Sequence, residues 1–157
     1  VVQGGDILVG HLVGRRRYDP AYLLGNLFLG RSMAVTLVGS VVLAACGPLV
    51  FGALTDNPDI VRMGVVILWI DCVLEIGRVR NIFACSTLRA AGDPVYPLVV
   101  GLIFQWGVAV GVAWLFAIPF GWGLIGAWVA FALDENLRGI VLMRRWHSKD
   151  WQGKSLA

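Results

Sequence analysis

Asp71, Glu75 and Arg78 stand at i, i+4 and i+7 of a run that is otherwise mostly apolar. In a helix this spacing puts all three on one stripe. Two carboxylates on one stripe repel, and one of them tends to take up a proton. Arg78, one turn beyond Glu75, neutralises one acid and leaves the other free for a proton or a small cation. Asn81 lies close to the same face. Two readings stay open: a coupling-ion or substrate-cation site in a cavity, or a closed salt bridge that orders a bundle. Asp134, Glu135 and Arg138 form a second group, with pairing geometry at i, i+4 and i, i+3. One arginine that serves either acid, near the end of an apolar run, favours structural pairing there.

Other polar groups in apolar runs are few. Gln105 is expected to hydrogen-bond between helices rather than to bind a ligand. His11 has the chemistry of a proton relay, but a surface or packing histidine is the plainer expectation. Trp122, Trp146 and Trp114 suit interfacial belts. Trp69, Trp106 and Trp128 fall deeper, where an indole either stacks on an organic cation or simply packs; packing is expected. Gly101, Gly107 and Gly111, and likewise Gly121, Gly123 and Gly126, offer small faces for close helix contact. Cys46, Cys72 and Cys85 are odd in number and unpaired in spacing, so no disulfide framework and no metal site is expected. No phosphate-cradling glycine loop with lysine and no serine–histidine–acid set occurs, so no enzyme is predicted.

The elements that carry these residues belong in lipid. Of 157 residues, 58% are hydrophobic and 15% charged, and mean hydropathy is +0.76. Soluble domains carry about a quarter charged residues. A chain this apolar would leave sticky patches in water. The net charge of +3 is too small and too scattered to suggest nucleic-acid binding, so no nucleic acid is expected as a partner. Crossing a bilayer takes roughly 20 helical residues. Four windows qualify: Met33 to Leu54, Ile60 to Leu88, Val95 to Ile118 and Trp122 to Met143. Ile7 to Val13 suits the end of a helix that starts earlier. The second window, about 43 Å long as a helix, exceeds the hydrocarbon thickness and predicts an interfacial start with a bend at Gly77. Residues 1–157 are thus expected to form a single transmembrane domain. The fold class is all-α, a polytopic bundle of about four spans plus a partial N-terminal helix.

Turn signals separate the windows. Tyr18-Asp19-Pro20 opens a helix, 55–59 ends in an N-cap, Gly92-Asp93-Pro94 closes one helix before the next, and Pro119-Phe120-Gly121 separates the last two. Arg15, Arg16, Arg17 and Arg31, then Arg80 and Arg89, then Arg144, Arg145, Lys149 and Lys154 alternate with connections that lack bases; Arg62 is the exception. By the positive-inside rule the C-terminal tail, 144–157, is cytoplasmic. The opening Val1-Val2-Gln3 is expected to be a point partway along a helix of a longer protein.

Several segments together resemble one family. Gly10-His11-Leu12-Val13-Gly14 followed by Tyr18-Asp19-Pro20-Ala21 is similar to the end of the second helix of each lobe in multidrug and toxic compound extrusion (MATE) transporters. Leu88-Arg89-Ala90-Ala91-Gly92-Asp93-Pro94 with Pro97 resembles that family's Leu-Arg-Gly-x-Gly-Asp segment. Phe51 to Pro58 resembles its Leu-Phe-Thr-x-Asp-Pro turn. Gly126-Ala127-Trp128 through Asp134-Glu135 and Arg138-Gly139 to Arg145-Trp146 looks like its last helix and tail. On this resemblance the partial helix is the family's eighth and the four spans are the ninth to twelfth, in a C-terminal lobe whose N-terminal partner lobe precedes Val1.

The resemblance implies export of organic cations or amphipathic drugs across the cell membrane, by antiport with H+ or Na+ and with no other cofactor. It makes Asp71 and Glu75 candidates for the acid that helps the C-terminal lobe bind its cation. Arg78 stands close to where some relatives place that acid, a departure that favours proton coupling or an altered substrate range. Two alternatives follow from the same residues. A lipid-linked or polysaccharide flippase would use Arg78 and Arg138 on anionic phosphates. A non-transporting or truncated membrane protein would hold every buried charge in a closed pair.

Overall fold

The computed structural model describes residues 2–153 and the side chains of 7–152. Lys154, one of the bases used for topology, lies outside the described residues. All regular structure among them is helical: α1 (Val2–Gly14), α2 (Tyr18–Ala45), α3 (Gly47–Leu54), α4 (Pro58–Ala90), α5 (Val95–Phe104), a π-helical segment (Gln105–Val110), α6 (Gly111–Ala117), α7 (Gly123–His147) and a 3-10 turn (Asp150–Gly153). Two helical stretches, Tyr18–Ala45 and Val95–Ala117, are long and apolar enough to cross a membrane.

Local chemistry accounts for the main boundaries. Asn57 caps α4, its side chain accepting the Asp59 N–H at 3.0 Å, with Pro58 at the first helical position where no N–H is needed. After α4, Gly92 adopts φ +88° and the Asp93 N–H returns to the Leu88 carbonyl at 2.9 Å. A left-handed glycine after a helix closes it in this way.

The helix boundaries differ from the hydropathy windows at two places. The first window is divided: α2 starts at Tyr18, runs past Arg31 and stops at Ala45, and α3 follows. Pro48 has no N–H to give the preceding turn and its ring crowds the carbonyl four residues back, so the helix resets at Cys46. The last window extends, since α7 continues through Arg144 and Arg145 to His147. A hydropathy window stops at charge; a backbone ladder does not.

α4 and α7 form the central pair, with α1, α2 and α3 against α4, and α6 and the π-helical segment against α7. Gly77 is where the two central helices cross. The helix runs through it unbroken, and a Cβ there would overlap the backbone of Glu135 and Asn136. Opposite it, a Cβ on Gly139 would lie 2.8 Å from the Gly77 carbonyl oxygen. Two glycines on facing helices let the backbones touch. Gly126 similarly abuts the Phe116 backbone, at 2.9 Å.

The glycines of the third window do otherwise. Gly101 and Gly107 face open space, and Gly111 meets only the Trp106 carbonyl of its own helical stretch. They pack no neighbour, because α5 leans lightly on the rest of the described bundle. Gly121 and Gly123 make the turn before α7 at φ +70° and +55°.

One end of the bundle is closed by aromatics. Trp146, expected in an interfacial belt, is fully buried. Trp151 stacks on it at 4.7 Å between ring centroids, with Tyr22 and Phe83 on its other sides at 5.8 Å. The chain reverses after α7, and the Trp151 indole N–H then donates to the Trp146 carbonyl at 3.0 Å. The reversal takes Trp146 out of the interface. Arg145 fastens the same end, donating to Asp93 at 3.0 Å and to Asp150 at 2.9 Å.

Elsewhere the surface is apolar. The accessible area is 9030 Å², against about 7,700 Å² expected for a compact soluble monomer of this mass. Leu23, Leu49, Trp106 and Ile118 are among the many large side chains left open. Such faces need lipid or further protein.

Candidate functional site

The crossing of α4 and α7 gathers most of the charged residues singled out in the sequence. A cavity of about 340 Å³ opens beside it, lined in part by Arg78, Gln105, Trp128, Asp134, Glu135 and Arg138. From α4, Arg78 donates to the Glu75 carboxylate at 2.5 Å. From α7, Arg138 pairs with Asp134, a turn earlier. Asn81 bridges the helices, donating to Glu135 Oε2 at 2.7 Å.

Charge and desolvation are both unbalanced here. The cavity wall carries two carboxylates, Asp134 and Glu135, and two guanidiniums, Arg78 and Arg138; Glu75, off the wall but bound to Arg78, brings the group to three acids and two bases. Asp134 is 3% exposed, and its Oδ1 has no hydrogen-bond partner among the described residues; nor has Arg138 Nε. A buried oxygen left unpaired this way costs about 1–3 kcal/mol. A proton or a small cation entering the cavity meets both deficits.

The structure separates residues that the sequence groups. Asp71 is half-buried, does not line the cavity, and its carboxylate has no hydrogen bond or ion pair among the described residues. Glu75, one turn on, is held by Arg78. Gln105, expected to bond between helices, makes no side-chain hydrogen bond among the described residues and lines the cavity instead. It opens the π-helical segment, whose wider turn changes the angle at which side chains leave the helix.

Trp128, for which packing was expected, is half-buried on the cavity wall and lies edge-on to Phe131 at 6.5 Å. Trp69 and Trp106 are exposed on the outside of the described bundle. His11 is exposed and remote, in a shallow cleft beside Gly14 and Ala90.

One residue escaped the sequence analysis. Asn136 donates to the Val73 carbonyl of α4 at 3.0 Å and to the Ala132 carbonyl of α7 at 2.8 Å. It ties the two helices on the far side of the Gly77 crossing. An amide immediately after an intramembrane acid pair was the available signal, since interhelical amide bonds recur in apolar bundles.

The chain matches the MatE family over residues 1–115. The uncharacterized transporter YisQ of Bacillus subtilis is 34% identical over 157 residues, covering all of this chain and 34% of the relative. A probable multidrug resistance protein NorM of Bradyrhizobium diazoefficiens is 27% identical over 145 residues, 88% of this chain and 31% of the relative. Another, of Deinococcus radiodurans, is 26% identical over 160 residues, 99% of this chain and 36% of the relative. The chain spans about a third of the length of these relatives. No solved structure matches it. Matched by the family over residues 1–115 and aligned along its whole length to a relative at 34% identity, the chain belongs to the MatE family.

Proposed function

We propose that these residues form part of the C-terminal lobe of a cell-membrane antiporter that exports organic cations or amphipathic drugs in exchange for H+ or Na+. The observation that carries this reading is the carboxylate excess around a cavity at the α4–α7 crossing, where Asp134 keeps an unpaired buried oxygen. The cavity volume falls within the usual range for small-molecule sites, about 300–1,000 Å³. Two relatives that share the fold region are named as multidrug resistance proteins, which supports the substrate class.

The residues take distinct roles. Glu135 and Asp134 carry the exchangeable negative charge. Arg78 and Arg138 set how much of it is free, and Arg78 draws the balance toward H+ over Na+. Trp128 offers an indole face to a cationic substrate. Asp71, without a partner, is a second acid that takes up a proton or a cation when the complete protein opens around α4. Protonation removes the charge that held the substrate, so cation and proton compete. Export follows if the two access states differ in affinity for each. The C-terminus lies in the cytoplasm, on the side of the basic connections.

The test is ethidium efflux from cells expressing the complete chain that carries these residues, with the proton and sodium gradients collapsed separately. Efflux lost with one gradient establishes antiport and names the ion. Asp71→Asn, Glu75→Gln and Glu135→Gln are expected to abolish efflux at unchanged expression; normal efflux in all three removes the site assignment. A second reading, a flippase for phosphate-bearing lipids, is favoured by the two cavity arginines. Absence of efflux from a well-expressed protein would move it ahead.

A further inference from the structure

Arg80 and Arg144 lie outside the site just described and have no acidic partner among the described residues. They line one cavity of about 560 Å³ between α2, α4 and α7, together with Asn26, Leu29, Met33 and His147. No carboxylate lines it. Arg80 is half-buried, where an unpaired guanidinium is costly unless an anion meets it. Arg144 and His147 sit at the end of α7, beside the aromatic closure of the bundle. Leu29 and Met33 continue along α2, which is apolar enough to cross a membrane and mostly uncovered. The cavity is therefore cationic toward the end of the bundle and apolar along its length.

We propose that this cavity is a binding site for an anionic phospholipid, its phosphate held between Arg80 and Arg144 and its acyl chain lying along Leu29 and Met33. Charge and shape both select this occupant. Guanidinium groups bind phosphate oxygens through two parallel N–H bonds. Basic pockets between membrane helices near an interface hold anionic headgroups. A free phosphate would satisfy the arginines but leave the apolar wall bare. His147 adds to the site without closing it: its Nδ1 donates to the Met143 carbonyl at 2.7 Å and its ring lies edge-on to Tyr22. The proposal rests on the membrane placement of these helices and not on the exporter reading, so a protein that fails to export ethidium still tests it.

The experiment places the complete chain in vesicles of phosphatidylcholine with a minor share of spin-labelled phosphatidylglycerol or spin-labelled phosphatidylcholine, and reads the immobilised fraction of each label. Wild type is expected to retain the glycerol lipid preferentially. Arg80→Gln and Arg144→Gln should each weaken that preference about fivefold, and the pair more. Arg80→Lys with Arg144→Lys should keep more of it than the double Gln variant, since charge remains while the paired N–H bonds are lost, which separates lost charge from lost folding. Arg62→Gln, an exposed arginine near the start of α4 at the other end of the bundle, should leave it unchanged. An equal loss in Arg62→Gln, or no preference in wild type, overturns the proposal. So does displacement of the lipid by millimolar inorganic phosphate, which would assign the arginines to a free anion.

Discussion

Asp134 and Arg138 illustrate how much a single contact is asked to do in an apolar bundle. They pair within α7, are both largely withdrawn from solvent, and each keeps one unsatisfied polar atom. Removing one member leaves the other charged and dry, which costs about 3–5 kcal/mol, whereas removing both is nearly neutral. Arg138→Met should therefore lower the thermal midpoint of the purified complete protein sharply. Adding Asp134→Leu to it should restore most of the loss, and a double variant no better than the single would show that the pair is not the source of the effect. Glu135 differs, because it accepts from a neutral amide, that of Asn81. Asn81→Leu is expected to impair efflux while leaving the helices assembled, and unchanged transport would remove Asn81 from the site.

At the scale of elements, the contact between α4 and α7 decides whether a site exists at all. Their backbones touch at Gly77 and Gly139, and the amides of Asn81 and Asn136 bind across the crossing on either side. Enlarging either glycine must push the helices apart. Gly77→Leu should destabilise by at least the 1–3 kcal/mol typical of overpacking and open the cavity, read as lost thermal stability and lost ethidium efflux together. Gly101→Ala is the contrasting case. It faces open space in a helix, so it is expected to be neutral or slightly stabilising. Equal effects at the two positions would mean that glycine flexibility, and not proximity, matters at Gly77.

For the whole molecule, the uneven distribution of packing matters most. The end that holds Trp146 and Trp151 is closed by stacking and by Arg145, whereas the faces of α2 and of Val95–Ala117 are open and apolar. Trp151→Ala should cost about 3–5 kcal/mol as a buried aromatic. Its checking measurement is the unfolding midpoint of the complete protein in lipid, where an unchanged midpoint would show that the aromatic closure does not form. The orientation of that end is open to a simpler assay. A fluorescent protein fused after Ala157 should light up, and an alkaline phosphatase at the same place should stay inactive, if the end lies in the cytoplasm.

Composition and periodicity were enough to make this an all-helical chain for a membrane, to place its turns at Asn57, Gly92 and Gly121, and to single out the two charged groups. These follow from local rules: lipid demands apolar runs, capping demands particular side chains, and helical spacing sets which residues share a stripe. Where α2 stops, why Gly77 is a glycine, and that Trp146 is buried were not legible, because each depends on a neighbour distant in sequence. The same holds for the site. Spacing put Asp71, Glu75 and Arg78 on one face, but only the approach of α7 brought Arg78, with Glu75 bound to it, to the cavity of Asp134, Glu135 and Arg138 and left Asp71 aside. A helix can display its charges by itself; which of them meet is decided by the helix that crosses it.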